Sequence, residues 1–225
     1  MADKIIIHHL RVSQSERVIW LCEELNIPYE LKSYNRQPPF MLAPQEYREL
    51  HPAGTAPIIE DGPMVLAESN AIFEYLLAKY GKGRLVLQPD HPNYADYLFW
   101  LHHSNGGMMP SFMGVMMKRL SGQPDDGSRP NVSQERFDRS MAALEQQLSK
   151  FPYVGGDQFT AADILVFFPL TTGRMFAGMS LDPYPNVVSY LQRVGNREAY
   201  RRAMEKGDPG LEPLLAANPP RRSVL

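Results

Sequence analysis

The sequence has a single cysteine, Cys22, among 225 residues. An internal disulfide is therefore impossible, and a Cys-x-x-Cys redox pair is absent. An excess of one charge is lacking too: 23 basic residues against 25 acidic leave a net charge of −2, and the basic residues are scattered. That spread excludes the basic stripe a nucleic-acid surface requires. Long apolar runs are missing. The longest, "ILVFFPL" at 164–170, falls far short of the roughly 20 residues of a membrane span. "MADKIII" at the start has an acidic residue, one lysine and a short apolar run, which is not a secretory-signal pattern. Internal repeats and low-complexity tracts are absent as well. A cytoplasmic protein is expected.

What is present suits a folded chain. Hydrophobic residues make up 44% of the sequence and charged ones 21%, enough to build real cores, and the length accommodates two ordinary domains. The first part alternates strand and helix signals. "KIIIHHL" (4–10) is a β-branched run, followed by "SERVIWLCEELNI" (15–27) with Val18, Leu21, Cys22 and Leu25 at helical spacing. "PYELKSY" (28–34) alternates again, and a loop rich in Pro and Gln leads to a short helix at "PQEYRELH". "APIIE" and "MVLA" flank "DGP", a tight-turn signal. "SNAIFEYLLAKYG" then closes the unit as a helix, with Ser69 as cap, Gly81 as stop and a buried stripe of Ala71, Ile72, Tyr75, Leu76 and Lys79. This order predicts an α/β domain over 1–81, a linker over 82–91, and an all-α domain over 92–225, where strand signals vanish. In "FTAADI", Thr160 and Asp163 read as a capping box.

The stretch "GTAPIIEDGPMVLAESNAI" (54–72) invites a functional reading. Pro57 opens a strand, where it removes a ladder donor. A cis Ala56–Pro57 bond would leave the main chain of Ala56 open to pair with an extended peptide. Ser69 at a helix start offers a hydroxyl beside unpaired N–H groups, which suits a carboxylate, and Glu68 beside it suits an ammonium. Together they fit the α-amino-acid end of a short anionic peptide. The plain alternative is a trans proline, a serine cap and a solvated glutamate.

This succession, an "AP" strand mouth, a hairpin and an "ES" helix start after a β-α-β unit, resembles the glutathione transferase superfamily. The "RVIW" run, the "HPAGTAP" approach and the capping box strengthen the likeness, which covers nearly the whole chain. The resemblance implies a thioredoxin-like N-terminal domain that binds glutathione and an all-α C-terminal domain that lines the second-substrate pocket. By the same likeness Pro57 is cis, Ala56 pairs with the cysteinyl backbone of glutathione, and Glu68 and Ser69 hold its γ-glutamyl end. It also implies a homodimer.

The chemistry such a site must perform is thiol ionisation. A thiol of ordinary pKa is only a few per cent thiolate at neutral pH, and a shift of about 2 units corresponds to roughly 2.7 kcal/mol. A donated hydroxyl contributes about 1.5–3 kcal/mol and a helix N-terminus about 0.3–1, so no histidine base is needed. The donor belongs between the first strand and the first helix, in "HHLRVSQSERV", which contains Ser13 and Ser15. Ser-type members place the hydroxyl just before the helix, which favours Ser13; Ser15 reads as the helix cap. No tyrosine stands in this loop. Cys22 lies on the apolar stripe of its helix and reads as a core thiol. Neither His8–His9 nor His102–His103 has the spacing of a zinc helix, so no metal is expected. Many relatives hold the glycyl carboxylate with a basic residue before the second helix, and "PPFMLAP" supplies none.

For the second substrate, Trp100, Met108, Met109, Phe112, Met113, Met116 and Met117 crowd one segment. Adaptable methionines suit varied apolar partners, although helix-spaced Met is more often core filling. Trp100, Met109 and Phe112 are the expected pocket residues, with Gly106–Gly107 interrupting the helix beside them. The expected activity is conjugation of glutathione to a hydrophobic electrophile, as in detoxification. A glutathione-dependent peroxidase, disulfide reductase or ether-cleaving enzyme would use the same thiol site, and a non-catalytic binding protein would keep the fold. Phe40 and Met41 in the proline-rich loop suggest a dimer anchor, and no function attaches to the tail "NPPRRSVL".

Overall fold

The computed structural model describes residues 4–39, 41–122 and 130–218. Phe40 and most of the C-terminal tail lie outside them. Packing divides the chain into two units.

The first unit comprises the chain up to Val86 together with Val194–Pro213. It contains β1 (Ile5–Leu10), α1 (Glu16–Leu25), β2 (Tyr29–Tyr34), α2 (Gln45–Arg48), β3 (Ile58–Asp61), β4 (Met64–Ala67) and α3 (Ser69–Tyr80). The sheet order is β2-β1-β3-β4. β1 pairs parallel with β2, Ile5 opposite Tyr29 and Leu10 opposite Tyr34, and antiparallel with β3, His8 opposite Ile58. β3 and β4 form a hairpin with Ile58 opposite Ala67. Its two-residue turn begins at Gly62, whose φ of 59° suits the first central position of a type II′ turn. β1 is central and covered on both faces, which explains its unalternating run: Ile5, Ile7, His8, His9 and Leu10 are all buried. Sheet and helices form the expected α/β thioredoxin-like arrangement.

A later helix, α10 (Glu198–Gly207), belongs to this unit. It packs on α1, with the rings of Trp20 and Tyr200 4.8 Å apart. Arg197 makes a two-pronged bond to Glu24 at 2.7 and 2.8 Å, while Arg202 and Lys206 converge on Glu23 at 2.9 and 2.5 Å. Burial opposes ionisation of Glu23, but the bonds from Lys206, Tyr29 and Arg202 hold its carboxyl below the ordinary range. Residues 194–213, which the sequence reading includes in the domain over 92–225, pack with the first unit. α1 carries two acidic residues and an indole on the face that α10 covers, and that complementarity draws the distant helix back.

The second unit runs from Leu87 to Arg193 and resumes at Leu214. Its elements are α4 (Tyr94–His103), α5 (Met109–Leu120), α6 (Val132–Leu148), α7 (Ala161–Leu170), α8 (Arg174–Ala177) and α9 (Pro185–Gly195), the last ending across the boundary. Every residue of α7 is buried, as befits a helix that is apolar all round. Its start carries the anticipated capping box: Asp163 accepts from the Thr160 N–H at 2.8 Å, with further bonds from the Val154 N–H and the Tyr190 hydroxyl, each at 3.0 Å. Arg174, wholly buried, donates to the carbonyls of Met179, Ala216 and Ala217 and so fastens the chain beyond Leu214 to this unit. Between α4 and α5 the chain does not break at the glycines, as expected from sequence, but forms a π turn over Ser104–Met108. Gly107 serves close approach there, since a Cβ would lie 2.5 Å from the His103 ring.

Candidate functional site

The strand register collects the singled-out segments at one end of the first unit's sheet. His8, Ile58 and Ala67 lie abreast across β1, β3 and β4. The residues just beyond them are the β1–α1 loop, Ala56–Pro57 and Glu68–Ser69. An apolar cluster of Leu10, Tyr47, Ile58 and Ala67, with Ala56 packed on it, forms the floor. Tyr47 also donates its hydroxyl to the His8 carbonyl at 3.2 Å, fixing the short α2 under the same edge.

The Ala56–Pro57 peptide is cis. Pro57 is buried and Ala56 half-buried, and among the described residues the main chain of Ala56 makes no hydrogen bond inside the protein. α3 begins one residue earlier than its cap assignment from sequence. Glu68 occupies the N-cap, Ser69 is the first helical residue, and no side chain caps the helix. Glu68 has φ 75°, a left-handed value rare for a residue with a side chain. Such strain of about 1–3 kcal/mol concentrates at ligand clamps. It stands Glu68 out into solvent while Ser69, 3% exposed, turns to the helix start. The buried face of α3 is Ile72, Phe73, Leu76 and Leu77 rather than the stripe through Ala71 and Lys79. The helix is rotated because Phe73 and Leu77 outweigh Ala71 in apolar area.

The β1–α1 loop brings both candidate serines together. Ser13 Oγ lies 2.8 Å from Ser15 Oγ and also accepts from the Ser15 N–H at 3.2 Å. Ser15 stands at the N-cap of α1, but its hydroxyl caps nothing. It is completely buried, 2.8 Å from His9 Nδ1 and 3.3 Å from the Leu10 carbonyl it donates to. Ser13 keeps 5% exposure and stands three residues before Glu16, the first residue of the helix.

Three residues that sequence reasoning passed over hold this loop. Val12 sits at φ 54°. Its N–H donates to both carboxylate oxygens of Asp208, at 3.1 and 3.2 Å, and its carbonyl accepts from Arg36 at 2.9 Å. Arg36 also donates to the carbonyls of Arg11 and Met41. A cation does therefore stand in the loop before α2, just ahead of "PPFMLAP", but its donors go to main-chain carbonyls. Asp208 lies almost 200 residues from this loop in the chain, so no local pattern announced it.

In the second unit, Trp100, Met109 and Phe112 are 2%, 4% and 1% exposed. Each is packed into the helical core, and Phe112 also borders a cavity of about 560 Å³ whose lining mixes Val115, Phe137 and Met179 with the polar Lys118, Arg119, Asn131 and Gln134. Met113 and Met117 stand exposed at 38% and 59%. Cys22 is fully buried, and burial, helped by the charge of Glu23, pushes its thiol up to about 12. Among the described residues no cluster of three or more His, Cys, Asp or Glu is arranged to hold a metal.

Comparison with known proteins identifies the family. Residues 7–84 match the model of the glutathione S-transferase N-terminal domain, and residues 108–198 match that of its C-terminal domain. The chain is 32% identical to glutathione S-transferase 3 of Schizosaccharomyces pombe, over 90% of this chain and 87% of the relative. It is 28% identical to GstB of Escherichia coli, over 84% and 91%. A crystal structure of a glutathione S-transferase from Actinobacillus pleuropneumoniae superposes with a TM-score of 0.79 at 32% identity, covering 92% of this chain and 94% of that one. With both domain models matched in order and a relative above 30% identity along most of its length, the chain belongs to the glutathione S-transferase family.

Proposed function

We propose that this glutathione transferase binds glutathione along the open edge of Ala56 and ionises its thiol against Ser13. Ala56 offers its free N–H and C=O to the cysteinyl backbone, and the cis Pro57 leads directly into β3. Glu68 meets the ammonium of the γ-glutamyl end, and Ser69 with the first N–H groups of α3 meets its carboxylate. The Ser13 hydroxyl, at the N-terminal end of α1, donates to the thiolate. The sulfur then attacks a carbon of a hydrophobic electrophile, forming a C–S bond as the displaced electron pair leaves with a leaving group or moves into the substrate. The observation that carries this reading is the position of Ser13 at the same sheet end as Ala56 and Glu68–Ser69. Ser15 is fully enclosed, with its oxygen engaged by three neighbours, which favours Ser13.

Phe112, with the cavity beside it, is our candidate for contact with the apolar substrate, with Trp100 and Met109 packed behind it. We propose a homodimer in which a second copy of the chain covers exposed apolar residues such as Phe99 and Val132, 51% and 50% exposed and bordering one cleft. We place the enzyme in the cytoplasm in a detoxifying role; no described helix is long and apolar enough to cross a membrane.

The test of the thiol site is a pair of substitutions. Ser13→Ala is expected to raise the pKa of bound glutathione by about 1–2 units and lower kcat/KM correspondingly, as for a lost bond to a charged group. Unchanged values in Ser13→Ala, with both effects in Ser15→Ala alone, would move the role to Ser15.

A further inference from the structure

Asp208 reaches the thiol-site loop from the far end of the chain. It directly follows α10, its side chain is 1% exposed, and it accepts from the Val12 N–H and from Arg11 Nε at 3.3 Å. Its other bond is to His9 Nε2, at 3.2 Å. His9 is wholly buried, and its second nitrogen, Nδ1, lies 2.8 Å from Ser15 Oγ, which lies 2.8 Å from Ser13 Oγ. An unbroken chain of hydrogen bonds thus links Asp208, His9, Ser15 and Ser13. The turn at Gly207 permits it, since a Cβ there would sit 2.9 Å from Ile19 Cδ1 and 3.3 Å from His9 Nε2.

Proton counting gives this chain two directions. Each serine hydroxyl has one proton to donate. With His9 neutral and its proton on Nε2 toward Asp208, Nδ1 is a bare acceptor. Ser15 then donates to Nδ1, Ser13 donates to Ser15, and the Ser13 proton points into the protein. With His9 as imidazolium, both ring nitrogens donate. Ser15 then accepts from Nδ1–H and keeps its one proton for the Leu10 carbonyl, 3.3 Å away, or for Ser13, 2.8 Å away; when it goes to Ser13, the Ser13 proton is released outward. The remaining tautomer sets a bare Nε2 against a carboxylate oxygen and is disfavoured. Donation from Nδ1–H is the arrangement that leaves the Ser15 proton free for Ser13.

We propose that Asp208 and His9 are positioning residues for thiol activation, their ion pair aligning the Ser15 and Ser13 hydroxyls so that Ser13 presents its proton to the sulfur of bound glutathione. The proposal rests on the reading of Ser13 as the thiolate donor. Burial opposes ionisation of Asp208, but the bonds from His9, Val12 and Arg11 outweigh it and hold the carboxyl below its ordinary range. The charged groups around His9 are Asp208 and, through it, Arg11 and Arg36; the first turn of α1 carries Glu16 and Arg17, and β2 sets uncharged Ser33 opposite.

The experiment titrates the thiol of bound glutathione by its ultraviolet thiolate absorbance, alongside the pH profile of kcat/KM, the glutathione Kd and Tm. Asp208→Asn keeps an oxygen for the Val12 N–H but removes the charge, and His9→Gln removes the imidazolium; either carries the test should the other not fold. Both are expected to raise the bound-thiol pKa by about one unit, a tenfold loss of thiolate on the acid side, with Kd changed less than about twofold. In a Ser13→Ala background Asp208→Asn should add no further shift. A purely structural role would lower Tm or weaken binding and leave the thiol pKa in place. If Ser13→Ala shifts the pKa and neither Asp208→Asn nor His9→Gln does, the positioning role is wrong and the Ser13 assignment stands. If Ser13→Ala itself shifts nothing, both fall together.

Discussion

Glu68 holds a φ of 75°, a conformation that favours glycine. In the proposed site it meets the γ-glutamyl ammonium, so the strain and the function belong to one side chain. Glu68→Gly should therefore leave Tm unchanged or raise it, by up to about 1 kcal/mol of stability, while glutathione KM rises several-fold. Equal loss of stability and affinity in that variant would refute the trade. Cys22 offers the opposite case. It is buried with its thiol pushed up to about 12, so the native protein should resist alkylation of its one cysteine until denaturant unfolds the first unit. Fast labelling of folded protein would contradict that placement. At this scale the sequence spoke unevenly. Ser13, Glu68 and Ser69 stood out as candidates because their neighbours in the chain form a helix start or a strand mouth. Val12, Arg36 and Asp208 were not, because their roles lie in bonds to main chain far away in sequence.

Among the elements, α7 shows how local rules and burial combine. Its capping box was legible from "FTAADI" because Thr and Asp three positions apart satisfy two N-terminal N–H groups reciprocally. The consequence of burying Asp163 was not. Desolvation pushes its carboxyl up to about 6 against the bonds from Thr160, Val154 and Tyr190. A carboxyl raised in the folded state binds its proton more tightly there than when unfolded. Its contribution is then complete below the unfolded pKa near 4 and is lost as pH rises to about 6, a swing of roughly 2–3 kcal/mol. Urea midpoints measured across that window should fall with pH in the wild type, and the fall should flatten in Asp163→Asn. That variant also loses one acceptor and should be about 1–3 kcal/mol less stable at low pH. The elements whose faces were misread, α3 and the glycine-bearing turn after α4, share one cause. Spacing fixes a helical period but not its phase when large apolar residues flank the assumed stripe, nor an extra residue wound into a π turn.

Across the whole molecule the α/β half followed by helices was visible in the changing rhythm of apolar residues. The return of 194–213 to the first unit was not, since a helix rich in Arg and Lys reads as a solvated surface until Glu23 and Glu24 are seen beneath it. A fragment ending at Val86 would expose the face of α1 that carries Trp20 and should lack the near-ultraviolet circular dichroism of a packed core. Joining residues 194–213 to it through a flexible linker should restore that signal. A fully folded shorter fragment would show α10 to be dispensable.

The place of Asp208 also bears on when in its life the enzyme becomes competent. Synthesis proceeds from the N-terminus, so the loop bearing Ser13 leaves the ribosome long before the carboxylate that holds Val12 and His9. On the proposal above, the serine remains unaligned until Asp208 has emerged and α10 has docked. A chain ending before Asp208 is expected to keep Ala56, Glu68 and Ser69 for glutathione and to lack an aligned Ser13.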